Sequence, residues 1–157
     1  MHAADLAVVR RVANIVHPAY PEADAVFAER LQLCAAGCLL LERAGDAMGY
    51  LISHPWRLGD PPALDSLLGS LPAAPDTWYL HDIALLDSAR GTGAAAAALE
   101  LLLQRAPAAR LASLSLTAVN RSVPFWQRHG FERADDAVPA RRLRSYGGDA
   151  CYMVRHL

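Results

Sequence analysis

One stretch restricts the fold more than any other: residues 78–105 read as a strand, a glycine-rich turn and an apolar helix. The turn is Arg90-Gly91-Thr92-Gly93-Ala94-Ala95. Glycines let a backbone turn sharply and approach a ligand closely, because they carry no Cβ. A helix that begins here presents unpaired N–H groups and the positive end of its dipole, which favours an anion such as a pyrophosphate. The stretch predicts either a phosphate-binding turn, with Arg90 adding a charge-assisted bond, or an ordinary strand–helix turn.

Two common phosphate-binding motifs are absent from this turn. A dinucleotide-binding site requires G-x-G-x-x-G and an acidic residue about twenty residues later, and the third glycine is missing. A P-loop requires Gly-Lys-Ser/Thr, and the chain has no lysine. Alanine fills positions 94–98, which predicts a helix that lies close to the sheet and leaves space for a cofactor.

The order of elements predicts a mixed α/β fold, because two helices are followed by strands interleaved with helices. The chain has 157 residues, and we expect them to form one domain, residues 1–157. His17-Pro18 ends the first helix, since the residue before a proline is pushed out of the helical region. Apolar spacing and turn residues predict helices at 4–16, 22–35, 93–105 and 122–129, strands at 38–43, 48–53, 78–86, 111–119, 131–133 and 151–155, and an ordered excursion at 54–75.

Composition argues against several classes of partner. The formal net charge is −1, whereas nucleic-acid binding needs a clustered basic surface. We find no signal peptide and no apolar run of membrane-spanning length, so we expect a cytoplasmic protein without a membrane partner. The three cysteines, Cys34, Cys38 and Cys151, lack the spacing of a zinc site; we expect small core residues and no metal.

Two motifs together resemble the GNAT superfamily of N-acetyltransferases. Arg90-x-x-Gly93-x-Ala95 after a strand matches its R/Q-x-x-G-x-G/A signature. About thirty residues later, Asn120-Arg-Ser-Val-Pro-Phe-Trp126-Gln-Arg-His-Gly130-Phe131 resembles the second landmark, an asparagine ending a strand, a short helix and a Gly-Phe opening the next strand. The resemblance covers residues 39–157. It implies the GNAT fold (α+β), with a mixed central sheet splayed at the acetyl-CoA site and helices on both faces.

Within the superfamily, Tyr79-Leu-His81-Asp-Ile-Ala-Leu85 and Val123-Pro-Phe-Trp126-Gln-Arg resemble the arylalkylamine (serotonin) N-acetyltransferases. Those enzymes carry His-x-His on this strand, and His81 matches the second histidine. Three departures stand out: Tyr79 replaces the first histidine, Trp126 replaces the tyrosine that is the usual candidate acid for the leaving thiolate, and the family's opening strand is missing or replaced.

The resemblance implies acetyl-CoA as the cosubstrate and assigns residues to its parts. Backbone groups of Ile83, Ala84 and Leu85 would meet the acetyl and pantetheine portion, and Asn120 would contact the pantetheine arm. The main-chain amides that would hold the pyrophosphate are those of Arg90, Gly91, Thr92, Gly93, Ala94, Ala95 and Ala96. Arg141, Arg142 and Arg144 form either a solvated loop or a contact to CoA phosphates or an acidic acceptor.

Direct attack on a thioester requires a neutral amine, and an alkylamine with a pKa of about 10.4 is mostly protonated at pH 7. His81 is the best candidate for the base, since histidine has an ordinary pKa of about 6.5. The alternative is a half-buried histidine bonded to a neighbour. Strand alternation predicts that His81 shares a face with Tyr79 and Ile83, and that Asp82 points to the opposite face as a structural hydrogen-bond partner. His54 and His129 are weaker candidates, and we expect His129 to pack at a helix end.

Trp126 can donate a hydrogen bond but cannot supply a proton. Release of a thiolate with a pKa near 8.5 costs only about 2 kcal/mol at pH 7, so the missing acid need not abolish the reaction. The candidate catalytic residues are therefore His81, Tyr79 and Trp126. Tyr79, Tyr146 and Tyr152 are the possible replacements for the tyrosine acid.

The leading hypothesis is an enzyme that acetylates a small primary amine, such as an aralkylamine or a polyamine. The alternatives are a protein or peptide N-terminus as acceptor, whose α-amino pKa of about 7.7–8.0 needs less help from a base, and a CoA-binding regulatory module. We expect residues 54–75 and the first two helices to form the acceptor pocket, where Tyr20, Trp56 and Trp78 either suit a ring or pack in the core. A homodimer is possible.

Overall fold

The computed structural model describes residues 1–157 as a six-stranded sheet flanked by helices. A 3₁₀ turn precedes the first helix, so the opening strand that the resemblance includes is absent from this sheet. The elements are α1 (Leu6–Val16), α2 (Asp24–Leu33), β1 (Cys38–Arg43), β2 (Asp46–Trp56), β3 (Thr77–Leu85), α3 (Ala94–Ala108), β4 (Ser113–Ala118), α4 (Val123–Arg128), β5 (Glu132–Arg133), α5 (Ala140–Leu143) and β6 (Cys151–His156).

The strand order is β1-β2-β3-β4-β6-β5. The pair β3–β4 is parallel and all other neighbours are antiparallel, so the sheet is mixed as predicted. The helix α3 makes the crossover between the two parallel strands, as a parallel connection requires.

Helices cover both faces of the sheet. On one face, α1 and α2 place Val9 and Phe27 against Tyr50 and Ile52 of β2. On the other face, Leu102 of α3 packs in a larger cluster with residues of β2, β3 and β4. Burial of these side chains stabilises the fold by about 1.5–3 kcal/mol each. This arrangement confirms the predicted fold class.

Several boundaries differ from the prediction: α2 spans residues 24–33 rather than 22–35, α3 spans 94–108 rather than 93–105, and β4 spans 113–118 rather than 111–119. The strand β2 continues beyond residue 53, because residues 54–56 pair with Tyr79, Trp78 and Thr77; the excursion is therefore residues 57–76. Pro55 is tolerated because β1 pairs only as far as Ile52, which leaves this part of β2 with one partner strand. The arginine-rich stretch forms α5 and a 3₁₀ turn rather than a loop. No helix is long and apolar enough to cross a membrane.

Candidate active site

A cleft opens where β3 and β4 separate. The two strands pair only at residues 78–80 of β3, ending at Leu80 and Leu116, whereas β4 continues to pair with β6 as far as Ala118. The cleft has a volume of about 200 Å³. It is lined by the α1–α2 connection (His17, Tyr20, Glu22), the excursion (Leu64), β3 (Leu80, His81, Asp82, Ile83), the end of β4 and the turn after it (Leu116, Thr117, Val119, Asn120, Ser122), α4 (Phe125, Trp126) and Tyr146.

A β-bulge in β3 creates this separation. Ile52 of β2 lies opposite Asp82, but the next residue, Ser53, lies opposite Leu80, so His81 is an extra residue in β3. A bulge bends its strand and interrupts the alternation of side chains. The expectation that Ile83 shares a face with His81 is therefore wrong: Ile83 packs in the cluster beneath α3. Asp82, expected on the face opposite His81, instead points to the same α1–α2 face as His81, where it bonds the side chains of His17, just after α1, and of Tyr50 in β2.

His81 is paired with a carboxylate from another part of the chain. Its Nε2 lies 3.1 Å from Oε2 of Glu22, in the connection between α1 and α2. Both side chains are almost fully buried, at 2% and 6% exposure. The other ring nitrogen of His81, Nδ1, is buried without a hydrogen-bond partner. As predicted, His81 lies beside Tyr79, with ring centroids 6.5 Å apart.

His54 lies behind this pair and outside the cleft. Its ring centroid is 6.2 Å from that of His81, and its Nδ1 lies 3.1 Å from the carbonyl of Pro55. Burial, with a smaller contribution from the nearby His81, lowers the pKa of His54 to about 3, so the ring is neutral. A neutral ring bonded in this way is a poor candidate for a base.

A second histidine–carboxylate pair lies at the other side of the bulge. Nε2 of His17 is 3.1 Å from Oδ1 of Asp82 and 3.2 Å from the carbonyl oxygen of Ile83. Tyr50 donates its hydroxyl to the other oxygen of Asp82. Burial opposes both charges, but the hydrogen bond and charge of Asp82 raise the pKa of His17. The same contacts, with Tyr50, lower the pKa of Asp82. This pair holds the bulged segment of β3 against the end of α1.

The wall formed by the excursion is a strap, residues 62–69, that is anchored at both ends. Asp65 accepts a hydrogen bond from the amide of Ala23, and its own amide donates to Glu22. The amides of Leu68 and Gly69 donate to the carboxylate of Glu29. Tyr146 donates to the carbonyl of Pro62, and the amide of Leu64 donates to Ser145. The strap therefore joins α2 to the turn after α5.

The predicted phosphate-binding turn is open to solvent. Gly91 and Gly93 have φ angles of +73° and +84°, and nothing lies within 4 Å of a Cβ built at either position. The helix α3 begins at Ala94 with Gly93 as its N-cap, and no side chain caps its first amides. Arg90 is more than half exposed and pairs with Asp87. The amide of Arg90, which was predicted to hold the pyrophosphate, instead donates to the carbonyl of Asp87. From Gly91 onwards the turn has the space and the free amides that a diphosphate requires.

The second landmark lines the opposite wall of the cleft. Asn120 and Arg121 adopt left-handed backbone angles and turn the chain from β4 into α4. Trp126 is 6% exposed and donates its Nε1–H to Ser122 at 3.2 Å. His129 packs at the end of α4, as expected, with Nδ1 2.9 Å from the carbonyl of Phe125.

The three candidate tyrosines differ in their access to the cleft. Tyr79 is fully buried and its hydroxyl lies 3.0 Å from Oγ1 of Thr117, whereas Tyr152 accepts a hydrogen bond from the amide of Gly59. Only Tyr146 lines the cleft, and burial raises its pKa well above the ordinary value. Of the aromatic residues expected at the acceptor pocket, Tyr20 lines the cleft, while Trp56 and Trp78 lie outside it.

Sequence reasoning missed Glu22, His17 and Asp82 as parts of one site. Glu22 and His81 are 59 positions apart, and nothing in the local pattern of either segment indicates their contact. The one available signal was His17-Pro18 at the end of the first helix, since a polar residue at a helix end often bonds a neighbouring element. The structure contains no group of three or more His, Cys, Asp or Glu side chains that could hold a metal ion.

Comparison with solved structures shows the fold. Ard1 from Thermoplasma volcanium aligns with a TM-score of 0.72 and 13% identity, covering 100% of this chain and 94% of Ard1. The GphF GNAT-like decarboxylase in complex with isobutyryl-CoA aligns with a TM-score of 0.79 and 13% identity, covering 99% of this chain and 96% of the decarboxylase. The ribosomal-protein-S18-alanine N-acetyltransferase from Escherichia coli aligns with a TM-score of 0.66 and 18% identity, covering 99% of this chain and 90% of the S18 enzyme.

Sequence comparison identifies the family. No curated protein matches the sequence significantly. The model of the acetyltransferase (GNAT) family matches residues 9–131, which include the glycine-rich turn before α3, most of the residues that line the cleft, and α4. The matched region is well over half of the 157 residues, and the splayed strands and open turn agree with it. This chain belongs to the GNAT family of acetyltransferases.

Proposed function

We propose that this enzyme transfers the acetyl group of acetyl-CoA to the primary amine of a small molecule, by direct attack of the amine on the thioester. The observation that carries the proposal is the cleft between β3 and β4, which brings the His81–Glu22 pair next to an apolar and aromatic wall. The family match favours an enzyme over a regulatory module.

The residues present suit acetyl-CoA as the cosubstrate. The open turn offers the main-chain amides of residues 91–96 to the diphosphate, whereas the amide of Arg90 donates to the carbonyl of Asp87. Beyond Leu80, β3 and β4 no longer pair with each other, so we expect the edge of β3 from Ile83 to Leu85 to meet the pantetheine and acetyl portion. The carbonyls of Ile83 and Leu85 accept side-chain bonds from His17 and Arg90, which the cosubstrate would have to displace if it used these carbonyls. Asn120 faces the same cleft and would bond the pantetheine arm.

The lining of the cleft suits a cationic amine with an apolar body. Glu22 and Asp82 are its two acidic side chains, and no arginine lines it. Tyr20, Phe125 and Tyr146 add aromatic surface, which favours a ring over a purely polar chain. These features support an arylalkylamine acceptor, in agreement with the motif around His81.

The strap supports a small acceptor. It is bonded to α2 and to the turn after α5, and so narrows the side of the cleft from which an acceptor would enter. A protein N-terminus is the second candidate, because the ribosomal-protein-S18-alanine N-acetyltransferase from Escherichia coli shares this fold. A polypeptide acceptor would require the strap to move aside.

In the proposed mechanism, His81 takes the proton of the attacking amine, and Trp126 occupies the place of the usual tyrosine acid. Trp126 contributes shape and an N–H donor, and the thiolate leaves without a proton from this side chain. Tyr146 is the one candidate tyrosine that lines the cleft, but its hydroxyl donates to the carbonyl of Pro62, so we assign it no acid role.

The test is release of CoA from acetyl-CoA with a panel of acceptors: 2-phenylethylamine, tryptamine, spermidine and a peptide with a free N-terminus. We expect turnover with the arylalkylamines, and a decrease in kcat of about 10²–10⁴-fold in His81→Ala. His156→Ala is the matched control, because His156 is exposed at the end of β6 and does not line the cleft. Turnover with the peptide alone would support the second candidate, and full activity of His81→Ala would remove His81 from the mechanism.

A further inference from the structure

The two ring nitrogens of His81 have different surroundings. Nε2 lies 3.1 Å from a carboxylate oxygen of Glu22, and Nδ1 is buried without a partner. A carboxylate only accepts hydrogen bonds, so in the neutral ring the proton must be on Nε2. The lone pair is then on Nδ1, which is the nitrogen left to accept a proton.

The carboxylate of Glu22 is itself held in place. Its Oε1 accepts the amide of Asp65 in the strap at 3.1 Å, and its Oε2 faces His81. The strap is fixed further by the amide of Ala23 bonding Asp65 and by two amides bonding Glu29. Glu22 thus joins the wall of the acceptor pocket to the imidazole.

Other titratable groups near His81 do not replace Glu22. His54 on β2 is neutral and bonds the carbonyl of Pro55, and Tyr79 on β3 bonds Thr117. Asp82, the next residue of β3, is occupied by Tyr50 and His17. Glu22 is therefore the one carboxylate that bonds the imidazole of His81.

We propose that Glu22 is a positioning residue that fixes the Nε2–H tautomer of His81 and so leaves Nδ1 as the nitrogen that receives the proton of the acceptor amine, once entry of the amine uncovers this nitrogen, which is buried in the free protein. In this step the amine nitrogen forms a bond to the acetyl carbon and the C–S bond breaks. The thiolate leaves with the electron pair, and the amine proton goes to Nδ1. The imidazolium that forms is stabilised by the buried carboxylate of Glu22. The inference rests on the proposed role of His81 as the base.

The tautomer can be measured without knowing the acceptor. In the ¹⁵N-labelled protein at alkaline pH, two-bond proton–nitrogen spectra distinguish the tautomers of each ring, and the His81→Gln spectrum assigns the signals. We expect His81 to carry its proton on Nε2. A proton on Nδ1 in the wild-type protein would overturn the inference.

Kinetics with acetyl-CoA and 2-phenylethylamine test the consequence. Glu22→Gln keeps the shape but removes the charge, so the imidazolium loses stabilisation. We expect kcat to fall about 10²-fold and the acidic limb of the pH profile to move to lower pH. Asp65→Asn is the matched control, because it removes one charge from the anchor of the strap and leaves the contact to His81. We expect its acidic limb to stay in place, whatever its effect on KM.

The outcomes separate this inference from the function on which it rests. If His81→Ala is inactive while Glu22→Gln keeps the kcat and pH profile of the wild type, the role of Glu22 is wrong and His81 remains the base. If Asp65→Asn shifts the limb as Glu22→Gln does, the effect belongs to the strap and the inference is overturned. Full activity of His81→Ala would overturn the base and the inference together.

Discussion

Two histidines at the cleft each pair with a carboxylate, and the four side chains come from two segments of the chain, the α1–α2 connection and β3. His81 and Asp82 are consecutive in β3, yet each bonds a different residue of the α1–α2 connection: His81 bonds Glu22, just before α2, and Asp82 bonds His17, just after α1. Burial makes each charge expensive unless it is paired, so these contacts fix the connection between α1 and α2 over the bulge.

The pair His17–Asp82 predicts a pH dependence of stability. The pKa of His17 is raised on folding, so its contribution to the free energy of unfolding is complete below about pH 6.5. That contribution is lost as the pH rises through the pKa that His17 has in the folded protein. The pKa of Asp82 is lowered, so its contribution is present above about pH 4 and is lost as the pH falls through its folded value. We expect Asp82→Asn to lower the free energy of unfolding by about 3–5 kcal/mol near pH 6 and to flatten its decline towards alkaline pH.

Urea unfolding at a series of pH values measures this effect. Asp136→Asn is a suitable control, because Asp136 is exposed and its substitution removes the same charge as Asp82→Asn. A decline with pH as steep in Asp82→Asn as in the wild type would show that His17 does not depend on Asp82.

Trp126 gives a prediction about the leaving group. It lines the cleft at the position where the family usually has tyrosine, and it bonds only Ser122. We expect Trp126→Tyr to keep the affinity for CoA and to preserve or raise kcat, because a phenol can donate the proton that indole cannot. Trp126→Phe keeps an aromatic ring but has no hydroxyl, so we expect it to show no increase in kcat. Calorimetry of CoA binding to Trp126→Tyr would contradict this placement if the affinity were strongly reduced.

At the scale of elements, β3 shows where sequence reasoning succeeds and where it stops. The glycine-rich turn and the start of α3 could be predicted, because glycine spacing and helix signals are local. The bulge at His81 could not, because alternation assumes a regular strand and the extra residue is visible only against β2. The faces of Ile83 and Asp82 were assigned wrongly for that reason.

The turn before α3 predicts a loss of cosubstrate affinity on a single change. Gly93 and Gly45 have nearly the same φ, +84° and +87°, and neither has an atom within 4 Å of an added Cβ. Alanine at either position costs about 1–2 kcal/mol of backbone strain. Only Gly93 lies at the start of α3, where a methyl group would also approach the diphosphate.

We expect Gly93→Ala to weaken CoA binding about tenfold or more, which is about 1.4 kcal/mol. Gly45→Ala, in the turn between β1 and β2, should be destabilised to a similar extent and bind CoA normally. Calorimetry below the unfolding temperature of both variants compares them. Equal affinity in the two variants would show that this turn does not hold the cosubstrate.

At the scale of the whole molecule, the same fold surrounds different reactions. The GphF GNAT-like decarboxylase, in complex with isobutyryl-CoA, aligns over 99% of this chain at 13% identity. The fold therefore accounts for the splayed strands, and the side chains of the cleft must account for the acceptor. Here those side chains are Glu22, His81, the aromatic residues that line the cleft (Tyr20, Phe125 and Tyr146) and those of the strap.

The order of elements and both family landmarks could be predicted from sequence, because each depends on residues close together in the chain. The contacts that build the acceptor side could not. Glu22 meets His81 across 59 positions, and Tyr146 meets the strap across 84. Such contacts depend on how the excursion packs, and neither periodicity nor composition reports that packing.

Hydrogen–deuterium exchange with and without acetyl-CoA tests whether the splayed strands and the turn before α3 bind the cosubstrate, because it reports every segment of the chain at once. We expect acetyl-CoA to slow exchange in three separate segments: the end of β3, the turn into the first part of α3, and the turn from β4 into α4. Unchanged exchange at residues 90–97 in the presence of saturating acetyl-CoA, or protection confined to other segments, would contradict this expectation.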